Sequence, residues 1–312
     1  MRTLVTVDRE SPRMKKLLYS KRIAPYLFIL PFLLTLVIFW LIPVGRSVVM
    51  SFQEVLYGDA TFVGTSNYDR LWRDQVFWKA MFNSIRYMVL TMLLLVPIPM
   101  VLAAIINSKI GNGRIKNFFK SSLFVPALTS VVVAGIVFRL MFAETDSGLM
   151  NQVVEFFGFG PVRWLREDLT GLTALLLLAV WRWTGVNTMY FLAGMQAIPA
   201  EYYEAASIDG ANKVQQFFNV TLPNLKPTIV YVTTISVYGG LAMFLESFML
   251  YAGNNSPNNQ GLTIVGYLYR KGIQENDLGF ASAVGVVLLV LVLAINLTQL
   301  TATGTFKKES AR

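Results

Sequence analysis

Arg182 stands inside a long apolar stretch, with Trp181 and Trp183 on either side and Asn187 and Tyr190 on the turns that follow. Planar guanidinium and amide groups make paired hydrogen bonds to vicinal hydroxyls, and aromatic faces stack on C–H groups. Arg182, Trp183, Asn187 and Tyr190 therefore have the chemistry of a sugar contact within a pathway. The same residues would equally form a Trp–Arg cluster that packs helices, and the sequence leaves both readings open. Glu246 and Arg139 lie in two other apolar stretches at similar depth. They form a candidate ion pair, or Glu246 accepts hydrogen bonds from hydroxyl groups. Covalent chemistry is short of parts. With no His and no Cys, imidazole bases, thiolate nucleophiles, disulfides and most zinc sites are excluded. No G-x-x-x-x-G-K-[ST] phosphate loop occurs, so ATP cannot be cradled by that device. No catalytic residue, metal site or cofactor is expected in this chain.

The elements that must hold these residues are membrane helices. The 312-residue chain is 54% hydrophobic and only 14% charged, too few charges to wet a globule of that size. Its apolar residues come in blocks long enough to cross a hydrocarbon core of ~30 Å. Six spans are predicted: Ala24–Val44, Met81–Asn107, Ser121–Phe142, Leu172–Ala197, Thr228–Tyr251 and Gly279–Leu300. The first is read as an uncleaved span, because its apolar run is too long for a signal peptide and no small-residue cleavage site follows Pro43. With both termini in the cytoplasm, the inner segments hold sixteen Lys and Arg and the outer loops eight, as the positive-inside rule requires. The net charge of +9 is thus a topology signal, and nucleic acid is not an expected partner. The expected organisation is a cytoplasmic N-terminal segment (1–23), an all-α domain of six transmembrane helices (24–300) and a cytoplasmic tail (301–312). Pro31, Pro97, Pro99 and Pro126 fall within spans and free backbone carbonyls that need other partners in lipid. Gly279, Ala281, Ala283 and Gly285 offer a small-residue face for close helix contact.

The cytoplasmic loop 198–227 is unusually apolar for a segment in water. Pro199 suits a helix start, Glu201 and Glu204 lie near its positive end, and Gly210 can take the left-handed conformation that ends it. A second short helix is expected from about Asn212 to Val220. Such a pair either lies on lipid or docks into another protein.

The residues themselves carry a resemblance. Glu204-Ala205-Ala206, then Asp209-Gly210-Ala211, then Leu222-Pro223 resemble the EAA signature of the permease subunits of bacterial ABC importers. Phe62-Val63-Gly64 with Asn67-Tyr68, Phe191 to Gln196, and Gly279 to Ala283 are similar to the carbohydrate branch of that family. Asn255-Ser256-Pro257 and Gly261 to Tyr269 look most like permeases for arabinose or arabino-oligosaccharides, and the likeness runs from about Tyr26 to Leu300. The resemblance implies a type I importer permease in the bacterial cytoplasmic (inner) membrane. Glu204, Ala205, Ala206, Asp209, Gly210, Leu222 and Pro223 would then couple to an ATPase. The implied partners are a sister permease subunit, two ATPase subunits that bind ATP and Mg, and an extracytoplasmic sugar-binding protein. Three alternatives stay open: an ion-coupled secondary sugar carrier working without an ATPase, a membrane enzyme, and the same family with another oligosaccharide, a polyol or glycerol phosphate as cargo.

Overall fold

The computed structural model describes residues 20–56, 59–108, 112–145 and 148–304. Lys15 and Lys16 of the basic N-terminal segment, Asp146, and the tail from 305 onward lie outside the described residues. Helix α1 (Ala24–Met50) is apolar on all sides and buries no residue up to Val49, which only lipid or another subunit tolerates. It carries Pro31 within its first half, the Thr35 hydroxyl donates back to the Pro31 carbonyl at 2.9 Å, and the helix widens into a π turn at Val37–Leu41. A hairpin of β1 (Gln53–Leu56) and β2 (Asp59–Phe62) and a short helix α2 (Ser66–Arg73) follow on the outer side.

Helix α3 (Gln75–Asn107) is the centre of the bundle. Asp74 starts it by accepting from the Val76 and Phe77 N–H groups at 2.7 and 3.1 Å. The helix is interrupted at Val96, just before Pro97 and Pro99. Helices α4 (Gly113–Leu128) and α5 (Val131–Met141) come next, then α6 (Leu149–Phe156) and the long α7 (Asp168–Gln196). The cytoplasmic loop holds α8 (Ala200–Ile208) and α9 (Lys213–Gln216), which runs on through a π turn to Asn224. Helices α10 (Lys226–Leu241), α11 (Leu245–Leu250), α12 (Ile264–Tyr269) and α13 (Leu278–Ala302) complete the chain.

Two expected spans are not single rods. The third, expected over Ser121–Phe142, starts at Gly113 and bends by 96° between α4 and α5. Pro126 removes a hydrogen bond from the last turn of α4, and Thr129 and Ser130 go extended with ψ of 136° and 132°. The fifth, expected over Thr228–Tyr251, breaks after Leu241, where Gly239 and Gly240 weaken the helix and Phe244 leaves helical geometry. Among the described residues four helices are long and apolar enough to cross a membrane, and the bent pair makes a fifth. The α10–α11 stretch, broken after Leu241, does not make one such helix, and the expected count of six is compatible with the fold but exceeds the five spans found.

Small residues set the packing, because lipid gives helices no hydrophobic reason to associate. Gly185 on α7 lies against the Leu123 carbonyl of α4, and Gly240 on α10 lies against Met88 of α3. Gly279 and Asn67 are far apart in sequence, yet both meet the Gln53 carbonyl. Gly279 leaves space for it, and the buried Asn67 amide donates to Gln53 and Ser51 at 2.9 and 3.0 Å. The small face expected at the entry to α13 is therefore a close backbone contact.

Candidate functional site

The cytoplasmic loop is built from nearest-neighbour chemistry. Helix α8 ends in a Schellman motif: the Ala211 N–H reaches the Ala206 carbonyl at 2.9 Å, and the Gly210 N–H reaches Ser207 at 3.1 Å. That motif needs a left-handed residue, and Gly210 takes φ +79°, as expected from its type. Asn212 then opens α9 with a capping box. Its side chain accepts from the Gln215 N–H at 2.9 Å, and the Gln215 amide oxygen accepts from the Asn212 N–H at 2.8 Å. The turn between the helices is thereby fixed on both sides.

Two cross-braces make the pair one piece. The buried Gln216 amide donates to Ser207 Oγ at 2.8 Å and to the Ala211 carbonyl at 3.1 Å. The Tyr203 and Thr221 hydroxyls meet at 2.9 Å. Gln216 and Thr221 carry no signal in the sequence, and Tyr203 reads there only as one of the loop's apolar residues, since nothing in their spacing marks a contact across a turn. Glu204, Ala205, Asp209, Gly210 and Pro223 face outward, while Ala206 and Leu222 are half-buried. Ile208 is 86% exposed and Val214 65% exposed, so an apolar tip is presented away from the bundle. The loop's base is pinned where Gly194 of α7 leaves room for Thr228 of α10.

The second cluster lies mid-membrane. Arg182 stands midway between the ends of α7, ~21 Å from each at 1.5 Å per residue. A charge at that depth costs at least ~2.5 kcal/mol to insert, and the structure supplies a partner. The Arg182 guanidinium donates to Glu246 Oε1 at 3.2 Å, with both side chains only 13% and 15% exposed. The expected pairing of Glu246 with Arg139 is thus corrected. Arg139 ends α5, half-buried, and makes no ion pair among the described residues. The 96° bend and the break before α11 re-aim both segments, so depth counted along straight rods no longer decides who meets whom. Trp183 lies beneath the guanidinium at 5.2 Å, and Trp181 stacks on Phe138 at 5.4 Å. Arg182 Nε keeps no protein partner although it is buried.

Asn187 has a different role from the one its position first indicates. Its buried amide donates to the Leu95 carbonyl at 2.9 Å. In an unbroken helix Leu95 would receive the N–H of residue 99, but Pro99 has none. Asn187 therefore satisfies the carbonyl that the proline orphaned, which is how a broken helix survives in lipid. Tyr190 packs edge-on against Tyr231 of α10 at 5.2 Å. Tyr231 and Tyr238, two turns apart on α10, are 50% and 63% exposed. Tyr231 extends the aromatic surface begun by Tyr190, and the i, i+7 spacing of the two α10 tyrosines in an apolar span was the available signal.

The outer face is stapled. Asn83 donates to the Asn259 and Leu262 carbonyls at 2.9 and 3.0 Å, Ser84 receives the Ile264 N–H at 2.8 Å, and Arg270 donates to Asn259 Oδ1 at 3.1 Å. The segment 255–269 noted in the sequence is thus a rigid cover over α3. At its edge Asp74 takes a hydrogen bond from Tyr267 at 2.6 Å. Burial works to raise the Asp74 carboxyl, but the hydrogen bonds from Tyr267, Phe77 and Val76 and the nearby Lys271 charge outweigh it and hold the group below its ordinary value. Burial and the facing carboxylate push the Tyr267 hydroxyl up.

A bundle of bent membrane helices with a preformed helix pair between two of them defines a multi-spanning membrane protein. Residues 110–302 match the family of binding-protein-dependent transport system inner membrane components, and the chain belongs to that family. It is a multi-pass inner-membrane transport subunit and not an enzyme, and it works with a binding protein. The arabinooligosaccharides transport system permease protein AraP of Bacillus subtilis is 48% identical over 295 residues, covering 95% of this chain and 93% of that protein. The AraP protein of Halalkalibacterium halodurans is 50% identical over 300 residues, covering 96% and 94%. The fold is similar to that in a crystal structure of a bacterial ABC transporter involved in the import of the acidic polysaccharide alginate. That match has a TM-score of 0.80 at 23% identity and covers 95% of this chain and all of the other. Membership of this family favours the binding-protein-dependent reading over an ion-coupled carrier.

Proposed function

We propose that this chain is one of two unlike permease subunits of an ATP-driven importer whose cargo is an arabinose-type oligosaccharide. It would form half of the translocation pathway. Two copies of a separate ATPase would carry ATP and Mg, and loop 198–227 would seat α8 in one of them. Glu204, Ala205, Ala206, Asp209 and Gly210 would make the contact, with Leu222 and Pro223 leading the push into α10. The observation that carries the coupling role is the loop itself, a braced helix pair with an exposed apolar tip at the base of α10. The cargo rests on the two relatives that are about half identical along nearly their whole length. Arg182, Trp183, Tyr190 and Glu246 would line or shape the pathway, joined by Tyr231 and Tyr238, while Asn187 would hold its wall together. An extracytoplasmic sugar-binding protein would deliver the cargo to the outer face. ATP-driven closure of the ATPases would move the loop and turn the cavity outward, and hydrolysis would reset it.

The test is reconstitution of the complete complex with its binding protein in proteoliposomes. Arabino-oligosaccharides should stimulate ATP hydrolysis and accumulate inside. In the variants Glu204→Lys and Gly210→Pro the complex should lose its ATPase on purification. Full retention of the ATPase by both variants would sink the coupling role, and stimulation only by an unrelated sugar would sink the cargo.

A further inference from the structure

Helix α6 (Leu149–Phe156) presents an apolar face that the fold leaves bare. Leu149, Val153, Phe156 and Phe157 recur at the i, i+4, i+7, i+8 spacing of one helix face and are 50%, 43%, 85% and 69% exposed. Phe159, past the Gly158 turn, is 69% exposed as well. The opposite face is tied down. Buried Asn151 accepts from the Val162 N–H at 3.1 Å and from the Trp164 indole at 2.8 Å, and the Thr170 hydroxyl of α7 donates to the Trp164 carbonyl at 2.9 Å. The helix is therefore held in one orientation at the outer ends of α5 and α7, its phenylalanines turned away from the protein.

We propose that α6 is an interfacial helix whose phenylalanine face is embedded in the outer leaflet of the bilayer and anchors this end of the bundle. Three observations favour lipid over protein as the occupant. The spans beside the helix also present exposed apolar side chains at this end, Leu140 at the end of α5 being 64% and Leu169 at the start of α7 73% exposed. A surface visited only transiently by a binding protein would leave five large apolar side chains in water between visits, which bilayer burial avoids. The exposed Arg163 beside the helix makes no ion pair among the described residues and offers a cation at the level of phosphate headgroups, a complement that a purely apolar protein surface lacks. The inference goes beyond the transport reading and does not depend on the cargo or on the ATPase.

The chain has no cysteine, so single cysteines can carry nitroxide labels without background from it. The variants Val153→Cys, Phe156→Cys and Phe157→Cys, with Glu155→Cys on the polar side, would be labelled in the complete complex with cysteine-free partners in lipid nanodiscs. Collision with dissolved oxygen should exceed collision with a nickel chelate several-fold at 153, 156 and 157, and the order should reverse at 155. Dominant nickel collisions at the three apolar positions would overturn the proposal, because the face would be in water. Exclusion of both probes there would overturn it equally, because protein would be the cover. Trimming Phe156 and Phe157 together to Ser, with assembly checked by co-purification, should raise the nickel accessibility of a label at 153 at least twofold; no change would count against anchoring by these rings.

Discussion

The cytoplasmic loop and the mid-membrane cluster are both polar constructions, and they are assembled in opposite ways. In the loop, hydrogen bonds link residues between three and eighteen positions apart: Asn212 to Gln215, Gln216 to Ser207, Tyr203 to Thr221. In the cluster, Arg182 reaches Glu246 across 64 positions and Asn187 reaches Leu95 across 92. The loop faces water, where each polar contact replaces one with solvent and nets only ~1 kcal/mol. The cluster faces a medium that offers no replacement, so each partner there is obligatory. The lesson is that the loop can be redesigned piecemeal, whereas the cluster can be changed only in pairs.

The largest expected effect comes from splitting the ion pair. Arg182→Met or Glu246→Leu alone leaves a sheltered charge unpaired and should cost ~3–5 kcal/mol, read as a lower melting temperature or lost yield of the purified complex. The double variant should recover most of that loss, and Arg139→Met should cost little. Equal damage from the double variant and from either single one would mean that the two charges act separately.

Next is the amide that serves the proline break. Asn187→Leu should cost ~1–3 kcal/mol, because the Leu95 carbonyl is left without a donor. Pro99→Ala in the same chain returns an N–H at the right place and should restore the melting temperature. Absence of that rescue would show that Asn187 matters for something other than Leu95.

On the loop side the effects should be smaller. Gly210→Ala has open space around it, so only the left-handed backbone opposes it, costing ~1 kcal/mol. Global melting should barely move while ATPase capture weakens a few-fold, and a capture curve that superimposes on the unsubstituted one would break the contrast between loop and cluster. The smallest effect is at the outer rim. Asp74 has its folded-state value held below the ordinary 3.8, so its contribution is fully present above that value and is lost as pH falls through the folded value. Asp74→Asn should therefore flatten the acid limb of the melting-temperature profile below about pH 4 and change its slope little near neutrality.

Local chemistry and composition by themselves determined the membrane class, the apolar stretches and the helix pair of loop 198–227. Glu204 to Ala211 reads correctly because a Schellman end and a capping box are decided within a few residues of chain. The small residues at 279–285 were legible as a packing face for the same reason, though not that Gly279 would meet Gln53. Only the tertiary structure decided the rest. It bent the third stretch by 96°, broke the fifth after Leu241, and so exchanged Arg139 for Arg182 as the partner of Glu246. It also showed that Asn187 answers Pro99, a pairing that no periodicity encodes because its two halves lie on different helices. The physical reason is common to both partner choices. Where water is absent every orphaned carbonyl or charge must find a partner inside the fold, and which partner lies within reach depends on how the helices bend and pack.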